Sequence, residues 1–219
     1  MNKQELEIEE TEENFVYETE IIKDRKISTR AWEPSINELY HRFLDGDLIL
    51  QPEFQRYYVW DDKKASRLVE SALLKVPLPI IYLSEEDDGK LVVIDGQQRL
   101  ISLFRFFAPL SIGNQQISQL RLTGLTVITE LKRKTFSELP KDLQRHYKNY
   151  PLKVIVIEKE SHPDVKFEIF ERLNTGAVKL NDQELRNCIY RGRYNDLLKR
   201  LSQNKDFLFL LGFRETDKR

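Results

Sequence analysis

Residues 91–107 read LVVIDGQQRLISLFRFF: a solid apolar run, an Asp95-Gly96 turn, the polar triplet Gln97, Gln98 and Arg99, and an apolar-faced helical pattern. Four apolar residues before a turn signal predict a buried strand, and the spacing after Arg99 predicts a helix. A strand that runs directly into a helix presents the backbone N–H groups of the first helical turn outward, an arrangement that favours anions. Arg99 adds a cation at the same place. Turn formation needs none of the three side chains that follow Gly96, so this junction is the main candidate for chemistry.

Composition places the junction in a globular protein. The 219 residues are 40% hydrophobic, enough for a sizeable core. Lysine plus arginine (35) nearly balance aspartate plus glutamate (36), for a net charge of -1. No overall basic field attracts nucleic acid, and any such contact must be local. The single cysteine, Cys188, has no partner for an internal disulfide, and no apolar run reaches the length of a membrane helix or has the layout of a signal peptide. These features predict a cytoplasmic protein. Acidic residues crowd the start of the chain (Glu5, Glu7, Glu9, Glu10, Glu12, Glu13, Glu18, Glu20), so residues 1–30 are expected to form a flexible acidic arm and residues 31–219 the folded domain.

Working outward from the junction, residues 79–83 and 91–94 form a hairpin through the acidic turn 85–90, which delivers Asp95 to a strand end. Upstream, Ser35 and Glu38 have capping-box spacing ahead of the apolar face Ile36, Leu39, Tyr40, Phe43 and Leu44, closed by Gly46. Residues 47–50 can be a strand, and 53–60 (EFQRYYVW) an aromatic-rich extended stretch. Asp61 or Asp62 caps a helix with the buried stripe Ala65, Leu68, Val69, Ala72, Leu73 and Val76, which Pro77 stops. Downstream, a helical stretch from Phe136 through 140–148 leads into a strand at 152–157. Helices are expected at 165–173, from Asn181 to Tyr190, at 195–202 and at 206–211. The expected fold is α+β: a small mixed β-sheet flanked by helices, with a mostly helical C-terminal third.

Several chemistries lack their residues. Neither G-x-x-x-x-G-K-[ST] nor G-x-G-x-x-G occurs, the histidines His41, His146 and His162 are scattered, and there is no G-x-S-x-G. At the junction, Asp95 can ligate Mg²⁺ or hold Arg99, Gln97 and Gln98 can place a water or bind a phosphate oxygen, and Arg99 can pair with phosphate. Gln55 and Arg56 lie among Phe54, Tyr57, Tyr58 and Trp60, where they either meet nucleic acid or serve packing, Arg56 clamping a carboxylate such as Asp95. Asn174, between Arg172 and Gly176, is either a helix cap or a ligand contact.

The runs QPEFQRYYVW, VIDGQQRLISL and FERLNTGAVKLNDQELR, in this order, resemble the N-terminal domain of GmrSD-type modification-dependent restriction enzymes over about residues 35–191. The resemblance implies a ParB/sulfiredoxin-like core and an NTP-binding, NTP-hydrolysing domain (GTP or ATP, with Mg²⁺) in defence against modified phage DNA. It implicates Asp95, Gly96, Gln97, Gln98 and Arg99, together with Gln55, Arg56 and Asn174. Asp95 is then the metal ligand or the group that orients Arg99. Family members that cut DNA carry a further C-terminal HNH-type nuclease domain, and no histidine follows Leu180 here, so this chain is not expected to be a nuclease by itself. The charged run 214–219 without a closing apolar element suggests a domain that continues, with self-association through its last helices. A second reading stays open: a non-enzymatic DNA-binding or assembly module, in which the Arg56 stretch engages nucleic acid and DGQQR serves structure.

Overall fold

The computed structural model describes residues 27–50, 58–113 and 115–161, with the single positions 169, 197 and 204. The acidic residues 1–26, the pair Gln55 and Arg56, Asn174 and the expected C-terminal helices lie outside the described residues. Within them the chain is α+β, a five-stranded mixed sheet with four helices. The strands of this sheet are β1 (Thr29–Trp32), β2 (Leu48–Ile49), β3 (Ile81–Glu85), β4 (Leu91–Asp95) and, last among the described residues, β7 (Val154–Ile157). Their order across the sheet is β1-β7-β3-β4-β2. The outer strands β1 and β2 pair antiparallel to β7 and parallel to β4, respectively; β3 is antiparallel to β4 and parallel to β7. A separate hairpin joins β5 (Leu110–Ile112) and β6 (Gln115–Ile117). The helices are α1 (Ile36–Leu44), α2 (Asp62–Leu73), α3 (Gln97–Phe107) and α4 (Lys141–Lys148).

Local chemistry explains the helix ends. The Ser35 hydroxyl accepts from Glu38 N at 3.1 Å, the first half of the expected capping box; the Glu38 carboxylate instead lies 3.8 Å from Arg42. Asp61, rather than Asp62, caps α2 by accepting from Lys64 N at 2.7 Å. Both α1 and α2 close with the same pair of bonds, from a left-handed residue and its successor. Gly46 N and Asp47 N reach Phe43 O and Arg42 O, and Lys75 N and Val76 N reach Ala72 O and Ser71 O. A lysine with φ of 61° thus stops α2 before Pro77 can. This corrects the expected stripe: Val76 leaves the helix and is 48% exposed. Leu44, at the end of α1, also turns outward.

Strand β3 starts later than expected. Pro79 has no N–H, the Pro79 and Ile80 carbonyls are taken by a side chain, and ladder pairing begins with Ile81 N on Lys153 O at 2.9 Å. The stretch expected to be helical from Phe136 is a 3₁₀ turn at Phe136–Glu138, capped reciprocally by Thr135 and Glu138; extended Leu139 and Pro140 separate it from α4. Strand β1, with no apolar alternation, and the β5–β6 hairpin carried no clear sequence signal. Residues 29 and 30 of β1 belong to the stretch grouped with the acidic arm.

Leu39, Val69, Leu83, Val93, Leu100, Leu103, Phe104 and Val156 are fully buried in one core. Each contributes about 1.5–3 kcal/mol by leaving water. Phe106, Phe107, Phe136 and Tyr147 form an aromatic cluster with ring centroids 4.8–6.0 Å apart. The Tyr147 hydroxyl donates to Leu103 O at 2.9 Å, tying α4 to α3; burial raises its pKa well above the usual value. No helix among the described residues is long and apolar enough to cross a membrane.

Candidate functional site

Strand β4 ends at Asp95, opposite Tyr82 of β3, and α3 starts two residues later. Gly96 makes that corner possible with φ of 104°; a Cβ there would stand 3.0 Å from Ile81 Cγ1. Its carbonyl accepts the first helical bond, from Leu100 N at 2.9 Å, and no side chain caps the helix. The positive end of the α3 dipole therefore lies directly beyond the sheet strand.

Arg99 is held in place. Its Nη1 donates to Pro79 O at 2.6 Å and Ile80 O at 3.0 Å, and its Nη2 to Asp95 Oδ2 at 2.7 Å. The side chain is 14% exposed, against 41% for Asp95. Of the two roles expected for Asp95, holding Arg99 is the one with a hydrogen bond behind it. The arginine links the strand end, the helix start and the entry to β3, so its fixed charge arrives with three N–H groups already engaged.

The glutamines diverge. Gln97 is buried at 9% exposure, whereas Gln98 Oε1 accepts from Val59 N at 3.0 Å. Gln98 opens a polar stripe along α3 at i, i+4 and i+7: Ser102 Oγ lies 2.9 Å from Tyr58 Oη, and the Arg105 guanidinium lies over the Tyr58 ring at 5.3 Å and pairs with Asp62. Gln115 grips the Tyr58 backbone, accepting from its N–H at 2.8 Å and donating to its C=O at 3.1 Å. The end of the aromatic stretch is thus fastened to the helix that starts at the candidate site. Ser102, Arg105 and Asp62 were not among the sequence candidates; Gln98, Ser102 and Arg105, polar at helical spacing along an apolar-faced helix, were the available signal. Gln55, Arg56 and Asn174 lie outside the described residues, so the site as described consists of residues 95–99 with the carbonyls of Pro79 and Ile80.

Among the described residues no group of three or more His, Cys, Asp or Glu side chains could hold a metal ion. One Asp95 oxygen is committed to Arg99, so the donor set does not fit a cage made by protein alone. It does fit Mg²⁺ carried mainly by phosphate oxygens and water, which needs one or two protein carboxylates.

The described residues thus form an α+β domain in which a strand–glycine–helix corner carries a locked arginine. The GmrSD restriction endonuclease, N-terminal domain, matches residues 36–191, and the chain belongs to that family. No curated protein and no solved structure matches it.

Proposed function

We propose that corner 95–99 binds the phosphates of GTP or ATP with Mg²⁺, and that the chain hydrolyses the terminal phosphate in a modification-dependent restriction system directed at phage DNA. The observation that carries this reading is the uncapped start of α3 beside the locked Arg99, in a member of a restriction-endonuclease family. A ParB/sulfiredoxin-like core and a cytoplasmic setting belong to the same reading.

In it, the α3 N-terminus and Arg99 hold phosphate oxygens, and Asp95 keeps the guanidinium aimed. Gln97 or Gln98 places the water that attacks the terminal phosphorus as the bond to the leaving phosphate oxygen breaks. Arg56 neutralises the charge that develops, and Gln55 and Asn174 contact the nucleotide. Asp95 would be the residue to hold Mg²⁺, which would supply neutralisation of phosphate charge. Positioning and electrostatics suffice for phosphoryl transfer, so neither histidine nor cysteine is required. DNA cleavage falls to an HNH-type nuclease domain, separate or further along the chain, and self-association of the NTPase belongs to the same proposal.

GTP and ATP turnover and thermal protection by each nucleotide test the site in the wild type, Arg99→Ala and Asp95→Asn. Nucleotide at 100 times its Kd stabilises the wild type by about 2.7 kcal/mol. Both variants should lose most of that protection and the turnover. Equal turnover in all three proteins would remove the assignment.

A further inference from the structure

A groove of about 680 Å³ opens between the α2–β3 linker and the face of α4. Its charge is one-sided: Lys75, Arg145 and Lys153 line it against a single carboxylate, Asp142. Lys153 pairs with Glu33, but Lys75 and Arg145 form no ion pair among the described residues. In a chain with a net charge of -1, Lys75 and Arg145 give this groove a local positive excess over Asp142 once Glu33 has offset Lys153. Pro77, Leu78 and Pro151 supply apolar lining. Tyr150 fixes its shape, donating its hydroxyl proton to Val76 O at 2.7 Å and accepting from Leu78 N at 3.2 Å.

We infer that this groove is a nucleic-acid site that takes a single DNA strand, with phosphodiesters against Lys75, Arg145 and Lys153 and a base or sugar against Pro77, Leu78 and Pro151. The cations come from three separate elements, the α2–β3 linker, α4 and the residue before β7, which suits an extended anion better than a lone phosphate. Apolar lining beside cations suits nucleotides better than an acidic peptide. The site is distinct from corner 95–99 and does not depend on nucleotide binding there, although the linker that walls the groove continues into the carbonyls that hold Arg99.

The test is fluorescence anisotropy of a labelled oligothymidylate with the full chain, over a salt series. Lys75→Asn keeps a residue that tolerates left-handed backbone, and it is combined with Arg145→Gln; Lys132→Ala with Lys134→Ala removes the same charge elsewhere. The groove variant should bind at least about tenfold more weakly at low salt, with the salt slope flattened by about 1.4 for two lost phosphate contacts. The control should stay within twofold, and thermal protection by GTP or ATP should be the same in all proteins. Absent binding, equal losses in the two variants, or displacement of the oligonucleotide as effective with thymidine monophosphate or polyglutamate as with unlabelled strand would each overturn the proposal.

Discussion

Arg99 shows how one side chain can be both a structural clamp and a source of charge. Three of its N–H groups bridge Asp95 and the carbonyls of Pro79 and Ile80, which fixes the position of the cation before any ligand arrives. Such preorganisation strengthens an electrostatic site, because no side chain must be ordered on binding. Gly96 sets the same corner from the backbone side. Gly96→Ala would need a left-handed alanine and would press a methyl group towards Ile81, so it should lower stability by about 1–3 kcal/mol. Chemical denaturation measures the loss; an alanine variant as stable as the wild type would mean that the corner relaxes freely.

Between elements, the most telling bond set belongs to Glu70. This α2 carboxylate, 3% exposed, accepts from the N–H groups of Thr126, Val127 and Ile128 at 2.8–3.1 Å and from the Thr126 hydroxyl at 3.1 Å. Burial by itself raises its pKa, but these donors outweigh burial and leave it below the ordinary glutamate value. A carboxyl whose folded pKa is depressed stabilises the fold fully above its unfolded pKa, and that contribution is lost as pH falls through the folded value. Stability should therefore decline on acidification below about pH 4.3, the ordinary glutamate range. Glu70→Gln should cost about 1–3 kcal/mol at neutral pH, since its amide cannot accept from every donor, and should flatten this part of the acid profile. Thermal melts across pH on both proteins check the pair of effects; an unchanged acid limb in the variant would assign it to other groups.

On the scale of the whole molecule, the sheet depends on its least conspicuous strand. β1 covers the outer edge of β7, whose residues are VIVI, and the adjoining contact of Ser28 with Ser161 and Glu158 N continues that seam. A chain beginning at Pro34 would expose β7 as an apolar edge, a template for pairing with another copy. It should melt lower and elute as larger species than the full chain in size-exclusion chromatography. Unchanged melting and elution would show that β1 is dispensable. The same sheet carries both proposed sites: the corner sits at the end of β4, and the groove lies beside the residue that enters β7.

How much of this was legible in the sequence follows from where the information sits. The apolar run before Asp95, the glycine after it and the periodic helix beyond are local signals, and they sufficed to locate the corner and the α+β class. The same holds for the Ser35 and Asp61 caps, which act within one turn. Strand β1 was not legible because its pairing energy comes from β7, more than a hundred residues away. Nor could sequence spacing tell that Arg99 would spend its N–H groups on Pro79 and Ile80, or that Lys75 would end α2 ahead of Pro77. The sequence by itself thus determined the strand-to-helix corner and the residues that form it. Only the tertiary structure decided which of those residues are engaged, and where cations from three elements meet, because both depend on contacts between segments distant in the chain.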